Sequence, residues 1–169
     1  MYQKILVPVD GSETSRRALN SALQLAHDTG AELQPLFVVD PPLFLYDTPL
    51  LDPFDARDAL RDEGAHLAED ALSRMRRASV AGTPRIVEAD VVAADDVAHC
   101  ILRAAKDFKA DVVVMGTHGR QGFRRLMLGS VAENFLRIAE CAVLMIPAHC
   151  DKPQVSVTQC ACEAVKELS

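Results

Sequence analysis

The residues best suited to chemistry lie between Gly116 and Ser130. There the sequence carries Gly116-Thr117-His118-Gly119 and, after nine intervening residues, Gly129-Ser130, a G-x2-G-x9-G-S spacing. Glycines let a backbone approach a phosphate closely and adopt conformations closed to other residues. A helix opening at Ser130 would turn unpaired N–H groups and its positive dipole end toward an anion, and the Ser130 hydroxyl adds a donor. The same residues have plainer readings. Ser130 with Glu133 forms an S-x-x-E capping box, Gly116 can simply end a strand, and His118 can be a surface histidine. A second polar loop, Asp10-Gly11-Ser12, follows the first apolar run. A third group, His149, Cys150, Cys160 and Cys162, resembles a metal-binding set by residue type, but its spacing matches no common zinc motif and packing of the tail is the simpler reading.

These loops need elements to position them. Five apolar runs read as strands: Tyr2 to Val9, Glu32 to Val39, Arg85 to Val92, Asp111 to Gly116 and Ala142 to Pro147. Runs apolar on both faces suit central parallel strands covered by helices on each side. Helical periodicity falls between them. Ser12 caps a first helix stopped by Gly30, and a second runs from Asp55 to about Ser79 with its charges from Arg57 to Arg77 on a solvated face. Asp95 or Asp96 caps a third, and Ser130 a fourth. Strands alternating with helices make an α/β domain with an open parallel sheet, whose ligands bind beyond the carboxyl ends of the strands where the winding reverses. Asp10-Gly11-Ser12 and the Gly116 to Ser130 loop both fall at such ends. The Pro-rich apolar segment from Asp40 to Phe54 is either packing over a sheet edge or a lid or partner contact.

Composition narrows the function classes. The chain has 169 residues, 49% apolar and 25% charged, which suits one domain with a buried core. A net charge of −6 disfavours a general nucleic-acid surface, although Arg120, Arg124 and Arg125 make a local basic stretch. No signal peptide or membrane-length apolar run is evident, and five cysteines without a framework spacing fit a reducing cytoplasm.

The glycine spacing, the opening Lys4-Ile5-Leu6-Val7-Pro8-Val9-Asp10-Gly11-Ser12 and the block Asp111-Val112-Val113-Val114-Met115-Gly116-Thr117-His118-Gly119-Arg120 together resemble the universal stress protein family, in particular its ATP-binding members. The resemblance spans residues 1–148, leaving 149–169 as a tail. It implies a five-stranded parallel sheet of order 3-2-1-4-5 with helices on both faces, related to the adenine-nucleotide alpha-hydrolase-like folds, and frequently a dimer. It further implies that Pro8, Val9 and Asp10 line an adenosine site, with Asp10 near the ribose or a bound magnesium. Val38 and Val39 would flank adenine, one of them through its backbone. Met115 and Gly116 would close the ribose side. His118, Gly119, Gly129, Ser130 and Val131 would surround the phosphates of ATP, ADP or AMP, with Arg120 either beside them or solvated. One departure concerns the third strand: family members often carry a V-x-x-G stretch where this chain reads Val91-Val92-Ala93-Ala94-Asp95.

The expected function is nucleotide-dependent regulation with at most slow ATP hydrolysis and no assigned catalytic residue. Two alternatives stand beside it: a slow ATPase or nucleotidyl-transfer enzyme, and a structural dimer whose glycine loop is vestigial. Neither a G-x-x-x-x-G-K-[ST] loop nor a G-x-S-x-G nucleophile elbow is present. The last strand, expected at a sheet edge, is the expected contact of a homodimer.

Overall fold

Strand β1 (Lys4–Pro8) is followed by helix α1 (Glu13–Thr29), β2 (Glu32–Val39), α2 (Pro53–Arg77), β3 (Arg85–Glu88), α3 (Val97–Phe108), β4 (Val112–Gly116), α4 (Ser130–Ile138) and β5 (Ala142–Ile146). The computed structural model describes residues 1–40, 53–89, 96–117 and 128–147, with side chains from residue 57 onward in α2. The segment 41–52, the residues Val91 to Asp95, most of the glycine loop and the cysteine-bearing tail lie outside the described residues.

The strands form one parallel sheet in the order β3-β2-β1-β4-β5, as expected. Its central strands are buried on both faces. Ile5, Val7, Leu33, Val112 and Val114 face α1 and α2, whereas Leu6, Leu36, Val113 and Met115 face α3 and α4. This alternation on two covered faces explains why β4 reads as an unbroken apolar run. No helix among the described residues is long and apolar enough to cross a membrane.

The amino ends of the strands are tied by Asp111. Its Oδ2 accepts the N–H groups of Gln3 and Lys4 at 2.7 and 2.8 Å, and the charge-stabilising bonds hold its carboxyl below the usual range. At the sheet edges the two outer strands differ. β3 is four residues long and charged at both ends: Arg85 pairs with Asp107 at 3.0 Å, and Glu88 is held by Arg57 and Arg61 of α2. The charge pattern places those two arginines on a solvated face. They are instead tertiary partners, because Glu88 ends the neighbouring strand within their reach. β5 carries no such charge among its five residues, and Leu144 remains 42% exposed.

The helix boundaries follow local chemistry. Ser12 caps α1 through a bond from Ser15 N at 3.1 Å, and Gly30 ends it at φ 71°, a left-handed conformation that suits glycine. Asp96, not Asp95, caps α3, its side chain accepting from His99 N. The fourth cap differs from expectation. Gly129 is the N-cap of α4, no side chain among the described residues caps the helix, and Ser130 is its first helical residue. The Gly129 N–H is bound to Thr117 O at 2.8 Å, which holds Gly129 extended (φ −64°, ψ 148°) and starts the helix one residue earlier than a serine cap would. Glu133 does not close a capping box; its carboxylate pairs with Arg137 at 2.6 Å.

Candidate functional site

The sheet order contains one reversal. From β1 the chain winds outward through β2 and β3 with α1 and α2 on one face, then crosses back to β4 and winds outward to β5 with α3 and α4 on the other. The helices that follow β1 and β4, α1 and α4, therefore lie on opposite faces, the arrangement that leaves a crevice above the carboxyl ends of these two strands.

One wall of the crevice is the turn Asp10-Gly11-Ser12. Asp10 Oδ1 accepts the Ser12 N–H at 2.9 Å, a turn closed by the side chain rather than the backbone. The Asp10 N–H points toward Ser15 Oγ at 3.4 Å, and Ser15 Oγ itself donates to Ser12 O at 3.0 Å. Gly11 sits at φ +80°, where a side chain would be strained. Its open side is covered by α2: a Cβ at Gly11 would meet the Leu67 methyls at 3.6 and 3.7 Å and Glu63 Oε1 at 3.8 Å.

The other wall begins at Gly116, and the two walls touch. A Cβ on Gly116 would lie 2.9 Å from Thr14 Cβ and 3.0 Å from the Thr14 carbonyl carbon. Thr14 is itself buried in the first turn of α1. Glycine at 116 thus has a packing reason independent of any ligand. Thr117 N then bonds Ile146 O at 3.0 Å, and Thr117 O receives the Gly129 N–H. Both ends of the loop between them are consequently pinned to the same spot at the top of β4. The N–H groups of Ser130, Val131 and Ala132 lie in the first turn of α4, which no side chain among the described residues caps. The Ser130 side chain is exposed, and Val131 is half-buried against the α3–α4 core.

The remaining expected residues divide as follows. Pro8 and Asp10 are half-buried at the end of β1, whereas Val9 is buried, its N–H bonded to Leu36 O at 2.8 Å. Val38 is half-buried, but the Val39 side chain is wholly inside the core under α1 and α2, and its carbonyl oxygen accepts the Ala89 N–H at 2.9 Å. Met115 is nearly as buried, packed toward α3 and α4. His118, Gly119 and Arg120 lie outside the described residues. Sequence reasoning passed over Thr14, Ser15, Thr117, Glu63 and Leu67. The first two carry a weak signal, being small hydroxyl residues directly after a D-G-S turn. Helical spacing turns Leu67 toward the sheet, but its cover of Gly11, like that of Glu63, depends on where α2 crosses the sheet.

Beside β2 lies one further feature of the crevice rim. Asp40 is exposed, and partial desolvation and then the nearby Asp96 hold its carboxyl above the usual range. Asp96 is held low, first by the His99 backbone N–H. Among the described residues no group of three His, Cys, Asp or Glu side chains is arranged to hold a metal. What the arrangement offers is hydrogen bonding and dipole stabilisation of an anion at α4, with a carboxylate acceptor at Asp10 opposite.

Comparison with known proteins agrees with this geometry. Residues 1–147 match the model of the universal stress protein family. A universal stress protein of Methanocaldococcus jannaschii is 32% identical over 147 residues, covering 86% of this chain and 82% of that protein. The crystal structure of a universal stress protein family member from Burkholderia pseudomallei is 47% identical, with a TM-score of 0.73 over 87% of this chain and 97% of the other. A solved universal stress protein in complex with cAMP is 26% identical, with a TM-score of 0.61 over 86% of this chain and 97% of the other. From the match along 1–147 and the shared sheet order, the chain belongs to the universal stress protein family.

Proposed function

We propose that this chain binds an adenine nucleotide, ATP foremost, in the crevice between the Asp10-Gly11-Ser12 turn and the N-terminus of α4. It then acts as a nucleotide-dependent regulatory protein of the stress response, turning the nucleotide over slowly if at all. The observation that carries the reading is the pairing of a helix N-terminus that no described side chain caps with an anchored glycine, Gly129, at the reversal of the sheet order. A phosphate at this point would receive the first-turn N–H groups of α4 and the exposed Ser130 hydroxyl. The solved relative that holds cAMP supports an adenine nucleotide as the ligand class. On this reading Asp10 takes the ribose or a magnesium ion. A magnesium ion needs only one or two carboxylates when phosphates and waters complete its shell, so Asp10 fits that role.

Slow turnover follows from what phosphoryl transfer requires, namely neutralised charge and an oriented nucleophile. In the sequence His118 is the nearest candidate base. The test is calorimetry of the purified protein with ATP, ADP and AMP in magnesium buffer. Gly129→Val should abolish binding while leaving the far-ultraviolet circular dichroism unchanged. Absence of any nucleotide affinity in the native protein would end this reading. Sustained hydrolysis near 1 per second, lost in His118→Ala, would replace it with an enzyme.

The same reading includes a homodimer formed over β5. The β3 edge is short and charged, whereas β5 presents an apolar, five-residue edge with Leu144 exposed. Such an edge invites pairing. Light scattering at micromolar concentration should give twice the chain mass; a monomer both with and without ATP would overturn it.

A further inference from the structure

Helix α2 has two properties that do not ordinarily go together. It is the helix that covers Gly11, through Leu67 and Glu63. It also buries few side chains completely for its length. Among its described side-chain positions, 57–77, only Gly64, Ala71 and Met75 are buried. By contrast the 12-residue α3 buries Ala98, Cys100, Ile101, Ala104, Ala105 and Phe108. A glycine inside a helix lowers its stability further. Gly64 has a packing reason to be there: a Cβ would fall 2.4 Å from Phe37 Cδ1. α2 therefore rests on the sheet by close approach at Gly64, by a narrow stripe in which Leu60 and Leu67 are only partly buried beside Ala71 and Met75, and by the ion pairs of Arg57 and Arg61 with Glu88.

An element with few buried apolar contacts opens locally at lower free energy than the core. Opening of α2 uncovers the face of Gly11 that Leu67 and Glu63 close. The Asp10 turn then loses its backing, while its other supports, from Ser12 and Ser15, stay within α1 and the turn itself. We infer that ordering of α2 and occupancy of the crevice are thermodynamically linked, so that nucleotide binding holds α2 down and α2 in turn holds the Asp10 turn for nucleotide. This inference rests on the nucleotide reading above and adds its regulation. Coupling of this kind is reciprocal, since each event must favour the other by the same factor. The solvent face of α2, with Asp58, Asp62, Glu69, Asp70 and Arg76 exposed, becomes a surface whose order depends on nucleotide.

The magnitude is set by linkage. A ligand that binds only the closed form suppresses opening by a factor of one plus its concentration over Kd, or about 100-fold at 100 times Kd. The experiment is hydrogen exchange by mass spectrometry on the full chain, with ATP set from the calorimetric Kd. Peptides within α2 should exchange up to about 100-fold more slowly with ATP. Leu67→Ala should raise α2 exchange in the absence of ATP and weaken ATP binding several-fold. Leu67→Met, which keeps Gly11 covered, should match the native protein in both. Protection of β4 amides in each variant verifies that the sheet is intact. If calorimetry records bound ATP but α2 exchange does not change, the coupling is wrong and the nucleotide reading stands. Equal ATP affinity in Leu67→Ala and the native chain would also refute it. If calorimetry records no binding, the nucleotide reading fails first and the coupling with it.

Discussion

Two serines that look alike in sequence should respond oppositely to removal of the hydroxyl. Ser12 and Ser130 each open a helix after a strand-and-loop, but only Ser12 caps one, accepting Ser15 N at 3.1 Å. Ser130 lies one position inside the helix, after Gly129 at the N-cap position, and its side chain is exposed. Ser12→Ala should therefore cost about 1 kcal/mol, within a range of about 0.5–2, because one first-turn N–H loses its partner. For a chain of this size that corresponds to a fall in Tm of about 2–4 °C. Ser130→Ala should move Tm by less than about 1.5 °C, the ordinary scatter of a surface substitution of about 0.5 kcal/mol. Its cost should appear in binding. A hydrogen bond to a charged phosphate contributes about 1.5–3 kcal/mol, so ATP affinity should fall by about 10- to 150-fold. Differential scanning calorimetry and titration calorimetry on the two variants decide the matter together. The reasoning fails if Ser130→Ala loses as much Tm as Ser12→Ala while keeping its ATP affinity, since Ser130 would then be a cap and nothing more.

Gly116→Ala should destabilise the protein by about 1–3 kcal/mol through overpacking against the first turn of α1, read from urea unfolding; stability within about 0.5 kcal/mol of the native chain would show that Thr14 yields freely. Glu88→Gln should lower stability at neutral pH, because the hydrogen bonds from Arg61 and Arg57 hold the native carboxyl low. A depressed carboxyl contributes stability above its unfolded value and loses it as pH falls through the folded one. The gap between variant and native should thus close in acid, and a gap independent of pH would contradict the assignment. Asp40→Asn should act in the opposite sense. Partial desolvation and then Asp96 raise the Asp40 carboxyl, so ionisation opposes folding as pH rises through its folded value. The variant should melt higher than the native chain at neutral pH and equal to it in strong acid; no gain at neutral pH would refute this.

Much of the fold is legible in the chain because the signals are local and repeated. The run from Val112 to Met115 is apolar on both faces since both faces are covered, and Ser12 and Gly30 bracket α1 by ordinary capping. The reversal between β1 and β4, and hence the crevice, followed from the resemblance in strand order. What escaped is set by contacts distant in sequence. Ser130-Val131-Ala132-Glu133 has the form of a capping box, yet the bond from Gly129 N to Thr117 O moves the helix start. Arg57 and Arg61 look like members of a solvated face until Glu88 is brought beside them. The third strand was expected to reach Val92, and its described pairing ends at Glu88. Helical spacing with Leu60 and Ala71 turns Leu67 toward the sheet, but that Leu67 and Glu63 cover Gly11 depends on the path of α2 across it.

The carboxylate of Asp111, bonded to Gln3 and Lys4, has a practical consequence for handling the protein. It fastens residues 3 and 4 to the edge of the sheet opposite the crevice, about 16 Å away along a five-residue strand. An affinity tag or fluorescent fusion joined ahead of Met1 would leave from that far edge. Such a label would report on the molecule without crowding the nucleotide, provided its linker is short enough not to fold back over the top of the sheet.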